Sequence, residues 1–335
     1  MKHHRVVVTR HGGPDVLQVV EEDRPEPRAG EVRVKVLTAG VSAYDLMFRR
    51  SGLLPGTPRV PFTLGVDIVG VVDKLGEEVS TVEPGQTVAG ATFCLGVGGG
   101  YAEFICLPAS ELVPVPSGVD PAEAVCVVVN YLTAHMAMHR TANIRGGERI
   151  LVHGAAGGVG TALLELGKLA GLEMYGLASK SKHGILTQYG ATPIDYRTQD
   201  FVEVLRQAEP DGIDYVFNGM AGEIFERGLA VLRRGGVLVH YGGPQSFGGF
   251  LSLVAKLIGY NVLPNGKSIK GYGTHRVDHQ LLAEDWSALF DLLEGGKIQP
   301  VIAKTFPILE AAQANALLES GQVTGNIVLL APELM

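Results

Sequence analysis

Glu148-Arg-Ile-Leu-Val-His-Gly-Ala-Ala-Gly-Gly-Val-Gly160 decides how this chain folds. The run Ile150-Leu151-Val152 is apolar without interruption and predicts a buried strand over 149–152. Glycines follow at Gly154, Gly157, Gly158 and Gly160, and an Ala/Leu-rich segment predicts a helix over 158–170. Glycines in such a loop permit a tight turn and a close approach of backbone to a pyrophosphate, and a helix start offers free N–H groups and a positive dipole end. A glycine turn used only for packing is the alternative. The strand before the loop and the helix after it are the context in which the motif reads as a dinucleotide site.

The next strand, predicted over 173–177, runs into Ala178-Ser179-Lys180-Ser181-Lys182-His183. An enzyme selective for NAD places an acid near this point for the ribose hydroxyls. Here there is none. Hydroxyls and ammonium groups suit a 2′-phosphate instead, which points to NADP(H), the alternative being a solvated basic helix start.

Outward from this loop, strands and helices alternate. Helices are predicted over 182–189 and 224–232, and strands over 214–217 and 236–241. Such alternation means a doubly wound parallel sheet. Further on, helices are predicted over 250–258, 277–293 and 309–318, and strands over 269–273 and 326–330; Trp286 sits on the apolar stripe of the second of these helices and reads as core. Upstream, residues 1–120 hold short strand-like runs over 5–9, 31–39, 67–75, 87–91, 101–107 and 112–115, broken by Gly and Pro. That pattern predicts a small barrel or sandwich. Asp120-Pro121-Ala122-Glu123 opens a helix reaching about His139, with an N-cap, a proline in the first turn and then an acid.

The chain has 335 residues, enough for two domains, and 46% hydrophobic with 19% charged residues fits a folded protein. A net charge of −7 weighs against a nucleic-acid partner. Cys94, Cys106 and Cys126 form no C-x-x-C pair, so neither a zinc lobe nor a disulfide framework is indicated and a reducing, cytoplasmic setting is expected. The valine run near the N-terminus is too short for a signal core, and no apolar stretch is long enough to span a membrane.

Longer motifs carry a resemblance that covers nearly the whole chain. They are Gly12-Gly13-Pro14-Asp15-Val16-Leu17, PRAGEVRVKV over 27–36, GVDIVGVV over 65–72, PGQTV over 84–88, GYAEF over 100–104, Leu132-Thr133-Ala134 and the closing GNIVL over 325–329. In these the chain resembles the medium-chain dehydrogenases/reductases, in the zinc-independent quinone oxidoreductase branch. The resemblance implies an α/β fold, with a Rossmann domain at 122–274 and a GroES-like β-barrel catalytic domain built from 1–121 and 275–335. It implies an active site in the cleft between them, NADPH as cofactor, a quinone or conjugated enone as substrate, and a homodimer. Carried over by position, Gly154, Ala156, Gly157, Gly158, Val159 and Gly160 would hold the pyrophosphate. Ser179 and Lys182 would hold the 2′-phosphate, with Tyr196 nearby and Asn326 where a basic residue often assists. Asn130 and Thr133 would lie near the nicotinamide ribose, and Tyr241 and Gly242 at the nicotinamide edge. Ser42, Tyr44 and Asp45 would line the substrate side.

The chain departs from its zinc-dependent relatives where metal ligands are expected. Ser42 stands at the first cysteine and Val66-Asp67 at the His-Glu pair, a set that cannot build a tetrahedral N/S site. It departs from many quinone reductases too, lacking their tyrosines near Met47 and Leu54. Without a metal, the acceptor must delocalise the negative charge that develops on oxygen, which favours quinones and enones over saturated ketones. The proton could come from Tyr44, a ribose hydroxyl or water. Asp45 has a second reading as the ion-pair partner of Arg49, Asp67 as a turn residue satisfying backbone groups, and Tyr241 as packing. Two other functions stay open: an alkenal or enoyl thioester reductase, with Arg49 and Arg50 as the adjacent cations for a phosphorylated carrier, and an NADPH-binding protein without catalysis.

Overall fold

The computed structural model describes residues 1–52, 57–92, 98–220, 222–243, 247–262, 266–272 and 279–335. Leu54, Cys94, Gly273 and Val277 lie outside the described residues. The chain divides into two compact units, Met1–Leu132 with His275–Met335, and Thr133–Thr274.

The first unit opens with an antiparallel hairpin, β1 (Lys2–Val8) and β2 (Leu17–Asp23). Next comes β3 (Glu31–Val41), whose Val32, Val34 and Val36 are fully buried at period two and set its core face. Helix α1 (Ala43–Arg50) follows, then β4 (Asp67–Leu75), β5 (Thr87–Ala91), β6 (Phe104–Pro108) and β7 (Leu112–Pro114). Helix α2 (Pro121–Cys126) starts as its sequence predicts: the Asp120 carboxylate accepts from Ala122 N at 2.8 Å, and Pro121 needs no partner for a missing N–H. Helical backbone continues through wide turns at Val127–Tyr131 and Ala137–Ala142, separated by α3 (Leu132–Met136), and stops at Asn143 in the left-handed region. The division between the units falls within this helical stretch.

The second unit is one six-stranded parallel sheet. Its elements in order are β8 (Arg149–His153), α4 (Gly158–Leu169), β9 (Glu173–Ala178), α5 (His183–Gln188), β10 (Thr192–Asp195), α6 (Phe201–Ala208), β11 (Ile213–Asn218), α7 (Glu223–Val231), β12 (Leu232–His240), α8 (Phe247–Val262) and β13 (Ser268–Gly271). The spatial order is β10-β9-β8-β11-β12-β13. The chain therefore winds outward from β8 in one direction, returns, and winds outward in the other, so β8 and β11 flank the switch point where such sheets bind ligands at their carboxyl ends. Ile150, Leu151 and Val152 are fully buried, as a strand covered on both faces requires.

The chain then returns to the first unit through α9 (His279–Glu294), β14 (Ile302–Pro307), α10 (Ala311–Glu319) and β15 (Asn326–Leu330). Trp286 is core, its indole N–H donating to Val128 O at 2.8 Å. The sheet of this unit runs β14-β15-β3-β4-β5-β7, with β6 also paired to β3. Among the described residues no helix is long and apolar enough to cross a membrane.

Candidate functional site

The loop after β8 has the shape that its glycines predict. Gly154 turns the chain with φ +68°, and Gly157 N donates back to its carbonyl at 3.0 Å. Gly160 faces that same carbonyl so closely that a Cβ would stand 2.2 Å from it. Gly154 and Gly157 are exposed, whereas Ala155 and Ala156 are buried beneath them. The N-cap of α4 is Gly157, and no side chain caps the first turn of this 12-residue helix. Gly158, Val159 and Gly160 thus begin a helix whose N–H groups are left to an anion. The cradle fits a pyrophosphate: bare backbone and an uncapped helix dipole end.

The parallel register sets Asp195 of β10 beside Ala178 of β9, which brings Tyr196 and Arg197 to the same sheet end as Ser179. Ser179 is buried, with its hydroxyl 3.4 Å from that of Ser181. Burial, and then the positive charge of Arg197, lowers the ammonium of Lys182 from its ordinary range. Two cations held together in this way gain from a dianion between them. Tyr196 is half exposed, and the Arg197 guanidinium stands 5.8 Å from its ring centroid. Tyr196 stands at the sheet end where the resemblance implies it, and Arg197 beside it is a further cation that the resemblance does not name. The signal was present, since the two are adjacent at the end of a short strand, but that strand itself was missed.

Asn326 is a correction. It is 4% exposed, and its amide accepts from Asn130 Nδ2 at 2.6 Å and donates to Val301 O at 2.9 Å. Both ends are engaged in closing β15 onto its own unit, so it is not available to a cofactor phosphate. Asn130 is half-buried in the first wide turn of the helical stretch, and Thr133 is buried in α3. Tyr241 and Gly242 follow β12 directly, with the Tyr241 ring packed over Gly219.

In the first unit, Ser42 and Asp45 form a capping box on α1. Asp45 Oδ2 accepts from Ser42 N at 2.7 Å and lies 2.9 Å from its hydroxyl, while Asp45 N donates to Ser42 Oγ at 3.4 Å. Asp45 Oδ1 accepts from Gly65 N at 2.8 Å. The carboxyl has no exposure, which corrects its assignment as a catalytic residue: it ties helix to loop. Nor is Arg49 its partner. Arg49 is fully buried and donates to Gly12 O at 2.8 Å and Glu319 at 2.6 Å, and Arg50 joins the same carboxylate. These two arginines fasten α1 to α10, which removes the expected cation pair for a phosphorylated carrier. Tyr44 is half-buried, 5.2 Å from the Phe48 ring, and burial raises its hydroxyl pKa. Asp67 is 2% exposed and accepts from Gly40 N at 3.1 Å. Burial, with the charge of Asp45 as a second cause, pushes it up to about 8.

The comparisons agree with this architecture. Residues 28–117 match the family model described as an alcohol dehydrogenase GroES-like domain, and residues 189–329 that of a zinc-binding dehydrogenase. Over 332 residues the chain is 32% identical to the quinone oxidoreductase of Pseudomonas aeruginosa, covering 97% of this chain and 99% of that protein. The chain belongs to the medium-chain dehydrogenase/reductase superfamily, in its quinone oxidoreductase branch. Other medium-chain relatives include the synaptic vesicle membrane protein VAT-1 homolog of Danio rerio, 32% identical over 98% of this chain and 70% of that protein. The Escherichia coli quinone oxidoreductase, solved in complex with NADPH, superposes with a TM-score of 0.86 at 26% identity, over 98% of this chain and 99% of that one. The α/β fold with its GroES-like and Rossmann parts is thereby established.

Within this superfamily the zinc implied by the second model's description does not fit the residues present. The Ser42 hydroxyl caps α1, Val66 is buried and apolar, and the Asp67 carboxyl is held towards its neutral form. Among the described residues no group of three His, Cys, Asp or Glu side chains could hold a metal.

Proposed function

We propose that this chain is an NADPH-dependent reductase of quinones or α,β-unsaturated carbonyls that works without a metal. The observation that carries the reading is the pairing of a bare phosphate cradle at Gly154–Gly160 with Ser179, Lys182 and Arg197 at the adjoining strand ends. When bound, the reduced nicotinamide supplies the hydride. The chain's own residues do the rest. The α4 N-terminus and the glycine backbone hold the diphosphate, and the two cations hold the third phosphate. Asp45 takes no part in proton transfer, because its oxygens are occupied and shielded. Tyr44 is the candidate that α1 retains for the proton. Conjugated acceptors suit such a site, since the charge left on oxygen is spread without a Lewis acid. Assembly as a homodimer belongs to the same reading, and β13, paired with β12 at the end of the six-stranded sheet, supports it.

The test is absorbance at the nicotinamide band with NADPH and separately NADH, across quinones, short enones and a saturated ketone, with EDTA throughout and the mass in solution measured on the same sample. NADPH-selective turnover of the conjugated acceptors is expected. Dependence on added zinc, or preference for the saturated ketone, sinks the reading. Replacing both Lys182 and Arg197 with alanine is expected to weaken NADPH binding by about a hundredfold or more, since hydrogen bonds to charged groups contribute about 1.5–3 kcal/mol each. NADH binding should change by less than about threefold, because it lacks the phosphate. Equal losses for both nucleotides would place the cations elsewhere than at the 2′-phosphate.

A further inference from the structure

Three central strands of the second unit end in a row of polar side chains that the dinucleotide fingerprint does not contain. Asn218 closes β11, and the register sets it opposite His153, the last residue of β8, and His240, the last residue of β12. Their exposures are 0%, 1% and 6%. Each immediately precedes a loop of the site: Gly154 after His153, Gly219-Met220 after Asn218, Tyr241-Gly242 after His240.

The Asn218 amide is clamped by its own loop. Its Oδ1 accepts from Met220 N at 3.0 Å, and its Nδ2 donates to Met220 O at 2.8 Å. That two-way bond fixes which end is oxygen, and so dictates both imidazoles. His153 Nδ1, 3.0 Å from Oδ1, must carry its proton and donate. His240 Nδ1 lies 3.3 Å from Nδ2, and that contact assigns it the acceptor role. The His240 ring also meets the backbone of Asn218 and Gly242, and Tyr241 N donates to Asn218 O at 3.1 Å.

We propose that Asn218 is a positioning residue for the dinucleotide, with His153 and His240 as neutral, single-tautomer spacers that hold the three strand-end loops in one arrangement. This rests on the reading of the second unit as an NADPH site. The surroundings enforce neutrality. His153 faces the Phe201 ring of α6, the backbone of Gly228 and the Arg227 charge of α7, and its Nε2 has no partner among the described residues. Burial pushes it down to about 4. His240 faces Phe225 of α7 and Lys256 of α8, whose ammonium pairs with Glu226, and burial lowers it too. A group depressed in this way contributes stability above its ordinary pKa of 6.5 and loses it as pH falls towards the folded value.

Nitrogen-15 spectra of the cofactor-free protein should show His153 protonated at Nδ1 and His240 at Nε2; the opposite tautomers overturn the proposal. Asn218→Asp keeps the acceptor and removes both donors. It is expected to weaken NADPH binding about tenfold near pH 8 and to regain part of that towards pH 6, as His240 takes up a proton and donates in place of the amide. Because the 2′-phosphate itself takes up a proton at about pH 6, the recovery is read as the ratio of variant to wild-type dissociation constants, which cancels that common change. A uniform loss at every pH in the variant would reduce Asn218 to a stability role. If the wild type binds no NADPH, the functional reading fails, and amide exchange at Met220 and Tyr241 still decides the positioning role. Exchange must accelerate in Asn218→Asp, and unchanged exchange refutes it.

Discussion

Replacing Gly160 with alanine is expected to raise the dissociation constant for NADPH by about a hundredfold or more, as overpacking of about 3 kcal/mol converts to that ratio. The new Cβ would stand 2.2 Å from Gly154 O and 2.7–2.8 Å from the Ala155 backbone. Backbone cannot rotate away as a side chain can. The first turn of α4 must therefore move off the loop after β8, and its N–H groups leave the position from which they meet the diphosphate. Gly184→Ala is the control, since nothing lies within 4 Å of a Cβ there. Nucleotide titration, with a thermal melt on each variant, checks the result. An unaltered dissociation constant in a folded Gly160→Ala protein would remove the cradle from the functional reading.

The second large effect concerns Asp67. Its carboxyl is raised from 3.8 to about 8, so between those values the unfolded chain releases a proton that the folded chain keeps. Stability is then full below about pH 4 and falls as pH rises through 8. Asparagine has nearly the same shape, can still accept from Gly40 N, and cannot ionise beside Asp45. At pH 8, Asp67→Asn should be more stable than wild type by about 2 kcal/mol or more, with the gain vanishing towards pH 4. Some slope will persist in the variant, because burial raises Asp45 as well. Urea unfolding across this range measures it, and a difference that does not vary with pH would show that Asp67 is ionised in the fold.

What the sequence made legible follows from which residues carry a periodic signal. The strands β4, β5 and β15 span the residues that the sequence predicts, and the loop after β8 is announced by its glycines. The hairpin strand β2 was missed because Leu17–Asp23 is mostly exposed and acidic, pairing with β1 through backbone more than through apolar packing. Thr192–Asp195 and Ile302–Pro307 were missed because each is short and contains proline, which reads as a breaker. Helix α6 has its N-cap in Asp200, which accepts from Val202 N, but it follows a turn rich in polar residues that hid its start. At the site, the tight loop after β8 was legible because its turn at Gly154 and the close approach at Gly160 call for glycine. The roles of Asp45, Arg49 and Asn326 were not. Each depends on a partner brought from a distant part of the chain: Gly65, Glu319 and Asn130. The row His153–Asn218–His240 was equally silent, since a single polar residue at a strand end breaks no pattern.

The pairing of β3 with β15 has a consequence for how the molecule is made. Val41 meets Ile327 and Thr38 meets Leu330, so part of one edge of β3 waits for a segment made after the whole second unit. The second unit is encoded without interruption and can close while synthesis continues. The nascent sheet meanwhile exposes the unpaired Thr38–Val41 edge of β3, a template for strand addition by any neighbouring chain. A premature stop between the end of the second unit and β15 therefore leaves the six-stranded sheet complete in sequence, and the first unit prone to join its neighbours instead of itself.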